Sequence, residues 1–243
     1  TVVFVAMGRY GGRECSYASD ADVIALHEAV GGATEAEAAA SATAIVNRVK
    51  NLLGSATNQL GIVVDLDLRP EGKNGPMSRT IESHREYAQR WASTWERQAA
   101  VRARPIGEGS LADSARALFD ELAYGGVSES DVRDIRLLKA RMENERLPRG
   151  IEPARHVKLG PGGLTDVEWT IQLIQMRAGM NNPALRTPST THAILSAREH
   201  ELISAQDAQT LLDAWDMATR IRAANTLASG RMSGVKLDVL PRD

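Results

Sequence analysis

Cysteine is almost missing from this chain. Its single copy, Cys15, cannot form an internal disulfide, which excludes the stapled secreted scaffolds and fits a reducing cytoplasm. Aromatic residues make up only 4% of the 243 positions, so a core must be built from Leu, Ile, Val and Ala. No stretch approaches the roughly 20 apolar residues of a membrane span, and the N-terminal residues lack a signal-peptide pattern. Neither sign of charge dominates: 29 Lys and Arg face 31 Asp and Glu, for a net charge of -2. That balance argues against a protein that lives on nucleic-acid backbones, which demand a basic face. A nucleotide substrate stays open, because a few local arginines and metal ions suffice for phosphates.

What is present reads as globular. The chain is 43% hydrophobic and 25% charged, and it is long enough for two modest domains or one large one. It opens on Thr1 directly in an apolar run without an initiator Met, which reads as a piece of a longer protein. Residues 1–7 (TVVFVAM) are apolar and β-branched, a buried-strand pattern that ends in the glycine turn Gly8–Gly12. Residues 22–27 (DVIALH) predict a second strand. Thr34 with Glu37 forms a capping box, followed by Ala42, Ile45, Val46, Val49, Leu52 and Leu53 at helical spacing up to Gly54. Residues 60–69 (LGIVVDLDLR) alternate as a third strand, with Val64, Leu66 and Leu68 on one face and Asp65, Asp67 and Arg69 on the other.

Beyond about residue 80 the pattern is helical throughout, over 80–103, 110–123, 129–146, 165–180, 188–200 and 205–229, with no strand expected. The expected class is α+β and mostly helical: a small α/β domain over 1–106 with a short mixed sheet, then a helical bundle over 107–243. The seam falls near Pro105–Ser110.

The residues that carry chemistry lie in the first part. Asp20 and Asp22 stand two apart at a strand start, so both carboxylates project to one side, and Asp65 comes from another strand. Clustered carboxylates repel unless a cation offsets them, and Mg²⁺ suits hard oxygens and triphosphates. Three such acids from adjacent strands meet the requirement of a two-metal nucleotidyl-transfer site. The Gly11-Gly12 turn lets backbone N–H groups approach phosphate, and Ser19 adds a hydroxyl. Asp65 and Asp67 on one strand face are costly to bury unpaired, although a wet edge strand would accommodate them.

Other features have plainer readings. Gly160–Gly163 leads into a helix whose Thr165 and Glu168 form a capping box, and acids in the first turn argue against a phosphate there. The basic residues of 131–146 are interleaved with acids, as on a solvated face, with Arg136 or Lys139 as candidates to reach a substrate. The five histidines lack metal-ligand spacing. Trp91, Trp95, Trp169 and Trp215 are expected as core anchors.

Taken together, GRYGGRECSYASDADVIALHE, VVDLDLRPEGKNGP, WASTWERQAAVRARPI, IRLLKARMENERLPRG and HVKLGPGGLTDVEWTIQLIQ span nearly the whole chain in order. They resemble the glutamine synthetase adenylyltransferases, a branch of the polymerase-β-like nucleotidyltransferase superfamily. The resemblance implies that Asp20, Asp22 and Asp65 are the three metal-binding acids, with Gly11, Gly12 and Ser19 forming the loop on the phosphate side. It also implies that Arg69, the Arg of the LRP motif, steadies the triphosphate or the acids. Arg102 and Arg104 are similar candidates, with salt bridges to Glu71 or Glu96 as the structural alternative. Asp67 falls where relatives vary and serves only as a fallback ligand.

Full-length members carry two such domains, one attaching AMP to a tyrosine of glutamine synthetase and one removing it by phosphorolysis. The ERLPRG and KLGPGGLTDVEW stretches resemble the attaching, C-terminal half. The implied partners are ATP as substrate, Mg²⁺, glutamine synthetase and a PII-type signalling protein, in the cytoplasm, with no nucleic acid and no membrane. The competing readings are the reverse phosphorolysis, a related uridylyltransferase, or a non-catalytic nucleotide-binding module.

Overall fold

A computed structural model describes residues 1–17, 19–54, 61–230 and 235–240. Two compact units divide the chain. The first comprises Thr1–Glu14 and Asp20–Ala123, the second Cys15–Ser19 and Tyr124–Asp243. The expected seam at Pro105–Ser110 therefore lies inside the first unit, which runs on to Ala123.

The sheet is built from the β-branched runs. β1 (Val2–Ala6) is followed by a single helical turn, α1 (Gly8–Gly11), and then by β2 (Ala21–His27). β1 and β2 pair antiparallel with Val2 opposite His27 and Ala6 opposite Val23. α2 (Glu35–Gly54) starts where the sequence places it: Glu37 accepts from the Thr34 N–H and hydroxyl, and the Glu37 N–H donates to Thr34 Oγ1. This helix is the crossover that parallel pairing demands, and it delivers the chain to β3 (Val64–Asp65), which lies parallel to β2. Val46 of α2 packs with Val23, Ala25, Val64 and Leu66, and fully burying each larger aliphatic here is worth about 1.5–3 kcal/mol.

β3 corrects the expected ten-residue strand, whose first residue, Leu60, lies outside the described residues. Among the described residues two of the ten pair, Val64 and Asp65. Asp65 Oδ1 accepts the Asp67 N–H at 2.6 Å, which bends the chain into a turn. Arg69 then fixes that turn: its Nε, Nη1 and Nη2 donate to the carbonyls of Gly75, Leu66 and Lys73.

Past the turn, residues 80–103 form two helices, α3 (Ile81–Trp91) and α4 (Thr94–Ala100). They part at Ala92, and Ser93 with Glu96 makes a capping box that restarts the helix. A strand where none was expected, β4 (Arg104–Ile106), pairs antiparallel with β1 and closes the order β3-β2-β1-β4. Pro105 is tolerated because β4 is an edge. α5 (Ser110–Tyr124) ends the first unit, with Leu118 and Phe119 buried.

The sheet face opposite α2 is covered by α3, α4 and α5, around a cavity of about 30 Å³ bordered by Ile24, Met7, His84 and Phe119. His84 is buried there, edge-on to Phe119 at 5.3 Å between centroids, with Nδ1 lacking a partner among the described residues. Burial, reinforced by the Arg79 charge, lowers its pKa to about 4. As pH falls below the unfolded value of 6.5, the unfolded chain takes up this proton first. Stability is therefore complete above 6.5 and is lost progressively down to about 4, a difference of about 3 kcal/mol. Urea titrations at pH 7 and pH 4.5 should show this loss in the wild type, and His84→Leu should reduce it. An equal pH dependence in both proteins would reject the assignment.

The second unit is helical: α6 (Glu129–Arg146), α7 (Leu164–Ala178), α8 (Thr190–Glu199) and α9 (Ala205–Ser229). Its core gathers Leu164, Val167, Ile171, Ile194 and Trp215. The capping box expected at Thr165 and Glu168 is not formed, because α7 begins earlier, after Gly163. Thr165 is buried and donates to the Lys158 carbonyl, while Asp166 accepts the Gly162 N–H. Lys139, a candidate to reach a substrate, is engaged by Glu143 and Asp166. Of the four tryptophans only Trp215 is a buried anchor; Trp91 is 73% exposed and Trp95 41%. Among the described residues no helix is long and apolar enough to cross a membrane.

Candidate active site

The parallel register of β2 and β3 sets Asp22 directly opposite Asp65, so two residues 43 positions apart in sequence become neighbours across the ladder. Asp20 immediately precedes β2 and, two residues from Asp22, projects to the same side. One carboxylate oxygen from each of Asp20, Asp22 and Asp65 lies within 4.8 Å of the other two. A one-residue slip of β3 would turn Asp65 to the opposite face and dissolve the cluster. Asp20 is exposed, and the other two are half-buried.

These donors fit a divalent cation. Oxygens ligating one Mg²⁺ at about 2.1 Å stand at most about 4.2 Å apart, so small torsional adjustments bring the observed spread into range. Asp67, the fallback ligand, lies in the turn beyond β3, with its carboxylate 3.3 Å from Lys73 and 3.8 Å from Arg69.

The glycine turn is organised differently from the expectation. The Gly11 N–H donates to the Met7 carbonyl at 2.7 Å and the Gly12 N–H to the Gly8 carbonyl at 3.2 Å, so both are engaged inside the turn. A Cβ on Gly11 would stand 1.8 Å from the Arg102 carbonyl oxygen, which makes this a packing glycine. Gly8 is the one that borders the acids. Its φ is +50°, and a Cβ there would lie 2.7 Å from Asp22 Oδ2. Spacing alone did not single it out from the other glycines of the turn. Ser19 belongs to the second unit, where its Oγ accepts the Ser16 N–H at 2.8 Å.

The arginines expected near phosphates are likewise engaged. Arg69 holds the β3 turn, as described above. Arg102 donates from Nε to the Gly8 carbonyl at 3.0 Å and from Nη2 to Glu14 at 2.7 Å. Arg104 donates to the Gly11 and Tyr10 carbonyls at 2.9 and 3.0 Å, with its guanidinium over the Tyr10 ring. The acids named as their structural partners are used elsewhere: Glu71 pairs with Arg79, and Glu96 accepts from Tyr87 and Ser93.

Three carboxylates gathered beside a short mixed sheet, two of them facing each other across the parallel β2–β3 pair, form a donor set suited to a divalent cation, as a metal-dependent nucleotidyltransferase would need. Residues 1–118 match the family described as glutamate-ammonia ligase adenylyltransferase, and residues 136–234 match the GlnD PII-uridylyltransferase family. The chain belongs to the glutamate-ammonia ligase adenylyltransferase family.

Its relatives include the bifunctional glutamine synthetase adenylyltransferase/adenylyl-removing enzymes of Streptomyces coelicolor and Cutibacterium acnes. They are 46% and 45% identical over 242 residues, in each case 98% of this chain and 24% of the relative. The enzyme of the same name from Bifidobacterium longum subsp. infantis is 46% identical over 247 residues, covering 100% of this chain and 23% of the relative. The chain thus spans about a quarter of the length of the curated relatives it matches.

Proposed function

We propose that this chain transfers AMP from ATP to a tyrosine hydroxyl of glutamine synthetase, and that Asp20, Asp22 and Asp65 carry the reaction. The observation behind this is the convergence of the three carboxylates, fixed by the β2–β3 register, in a family whose relatives are named for adenylyl transfer. The tyrosine oxygen attacks the α-phosphorus in line, the bond to the β-phosphate breaks, and pyrophosphate leaves. Asp20, Asp22 and Asp65 would hold divalent cations, with Mg²⁺ matched to the hard donors. Bound there, such ions supply neutralisation of phosphate charge and a lowered pKa for the attacking hydroxyl.

The protein's own part is positioning. The register fixes Asp22 against Asp65, Gly8 leaves room beside Asp22, and Arg69 holds the turn that follows Asp65. The match of residues 136–234 to a PII-uridylyltransferase family supports a PII-type signalling protein as a partner, and a chain with a single cysteine suits the reducing cytoplasm as the compartment.

The test is transfer of labelled AMP from ATP to unmodified glutamine synthetase by the 243-residue chain, with and without Mg²⁺. Metal-dependent labelling of the acceptor is the expected result. Phosphate-driven release of AMP from modified glutamine synthetase, without labelling, would reverse the direction. Nucleotide binding with neither activity would reduce the chain to a binding module.

A further inference from the structure

The first unit contains a buried charge pair that the proposed reaction does not use directly. Arg102 is only 4% exposed, and its partner Glu14 is half-buried. A buried guanidinium is costly unless its charge is matched and its N–H groups are bonded. Glu14 supplies the charge at 2.7 Å, and the Gly8 carbonyl accepts from Nε at 3.0 Å. The planar fork of Arg can satisfy both acceptors at once from a fixed geometry.

What that fork holds borders the carboxylate cluster. Gly8 leaves no room for a Cβ before Asp22 Oδ2, and the Met7 N–H donates to the Asp22 carbonyl at 2.9 Å. The placement of Gly8 therefore sets one wall of the space open to the Asp22 carboxylate. Arg104 provides an internal comparison. It clamps the same turn through two carbonyls, but those of Tyr10 and Gly11, and Gly11 packs against Arg102 and Ala6 rather than against an acid.

We infer that Arg102, paired with Glu14, is a positioning residue that orients the Asp22 carboxylate for divalent cation binding by fixing Gly8. The inference rests on the reading of Asp20, Asp22 and Asp65 as a cation site. The two arginines differ in what their clamp reaches, and this difference separates positioning from general support of the fold.

The experiment is Mn²⁺ binding to the whole 243-residue chain, followed by electron paramagnetic resonance and free of any turnover. Arg102→Lys keeps the charge but loses the fork, and should weaken Mn²⁺ binding about tenfold or more, the usual effect of removing a group that orients a metal ligand. Glu14→Gln should weaken it in the same direction, and it decides the matter if Arg102→Lys does not fold by circular dichroism. Arg104→Lys should bind Mn²⁺ within about twofold of the wild type. A folded Arg102→Lys with wild-type binding would overturn the inference, as would an Arg104→Lys loss equal to that of Arg102→Lys. Asp22→Asn separates the two levels. If it binds Mn²⁺ as the wild type does, the cation site itself falls and the inference with it. If it loses binding while Arg102→Lys does not, only the positioning role falls.

Discussion

Asp22→Asn should abolish AMP transfer and leave the fold intact. Asn preserves the shape of the side chain and removes one of the three anionic donors that the β2–β3 register brings together. Metal-assisted stabilisation of the transferred adenylyl group is worth several kcal/mol, so the expected loss is at least about 10³-fold in turnover. Stability should move little or rise slightly. Without a cation the three carboxylates repel one another, and neutralising one relieves about 1 kcal/mol per close pair in bulk water and more where the pair is half-buried.

A second signature follows from mass action. Mg²⁺ should raise the thermal midpoint of the wild type, because it binds only the folded site, and the variant should lose most of that shift. Asp20→Asn should behave alike, with even less effect on the fold because Asp20 is exposed. Single-turnover labelling and melting curves with and without Mg²⁺ measure both quantities. A folded variant that keeps more than about a tenth of wild-type turnover would remove Asp22 from the site, since it would assign the residue less than about 1.4 kcal/mol.

The parts of this site that were legible in the sequence are those that depend on local pattern. β1, β2 and α2 followed from β-branched runs and a capping box, and the Asp20–Asp22 pair from strand alternation. The hidden parts depend on who meets whom. β3 shrank because the Asp65 side chain accepts a backbone N–H two residues on, a competition between side chain and ladder that alternation does not register. β4 escaped because three residues containing a proline carry almost no periodic signal, and they become a strand only by pairing with β1. The break between α3 and α4 did have a signal, Ser93 with Glu96, obscured by the helical residues on both sides. The roles of Arg102 and Arg104 were beyond reach, because their partners lie 88 to 94 positions away along the chain.

Gly11→Ala should unfold or severely destabilise the first unit, by about 3 kcal/mol or more, at the upper end of what overpacking costs. The added methyl would meet the Arg102 carbonyl oxygen at 1.8 Å, the Ala6 carbonyl oxygen at 2.8 Å and the Arg102 carbonyl carbon at 3.0 Å. All three obstacles are backbone, so no rotamer change gives way. Either the β1–β4 pairing opens or the α1 turn shifts, and the turn carries the carbonyls that Arg102 and Arg104 hold.

Gly8→Ala should fail in the other sense. Its left-handed φ of +50° costs about 1 kcal/mol for a residue with a Cβ. The obstacle, however, is the Asp22 carboxylate, a side chain that can rotate away. That variant should fold with a modest loss and transfer AMP poorly, because the displaced group is a proposed ligand. Urea unfolding paired with labelling separates the two glycines: large loss of stability for Gly11→Ala, large loss of transfer at near-native stability for Gly8→Ala. If instead Gly11→Ala folds within about 1 kcal/mol of the wild type and loses only transfer, Gly11 returns to the phosphate side of the turn and its packing role is rejected.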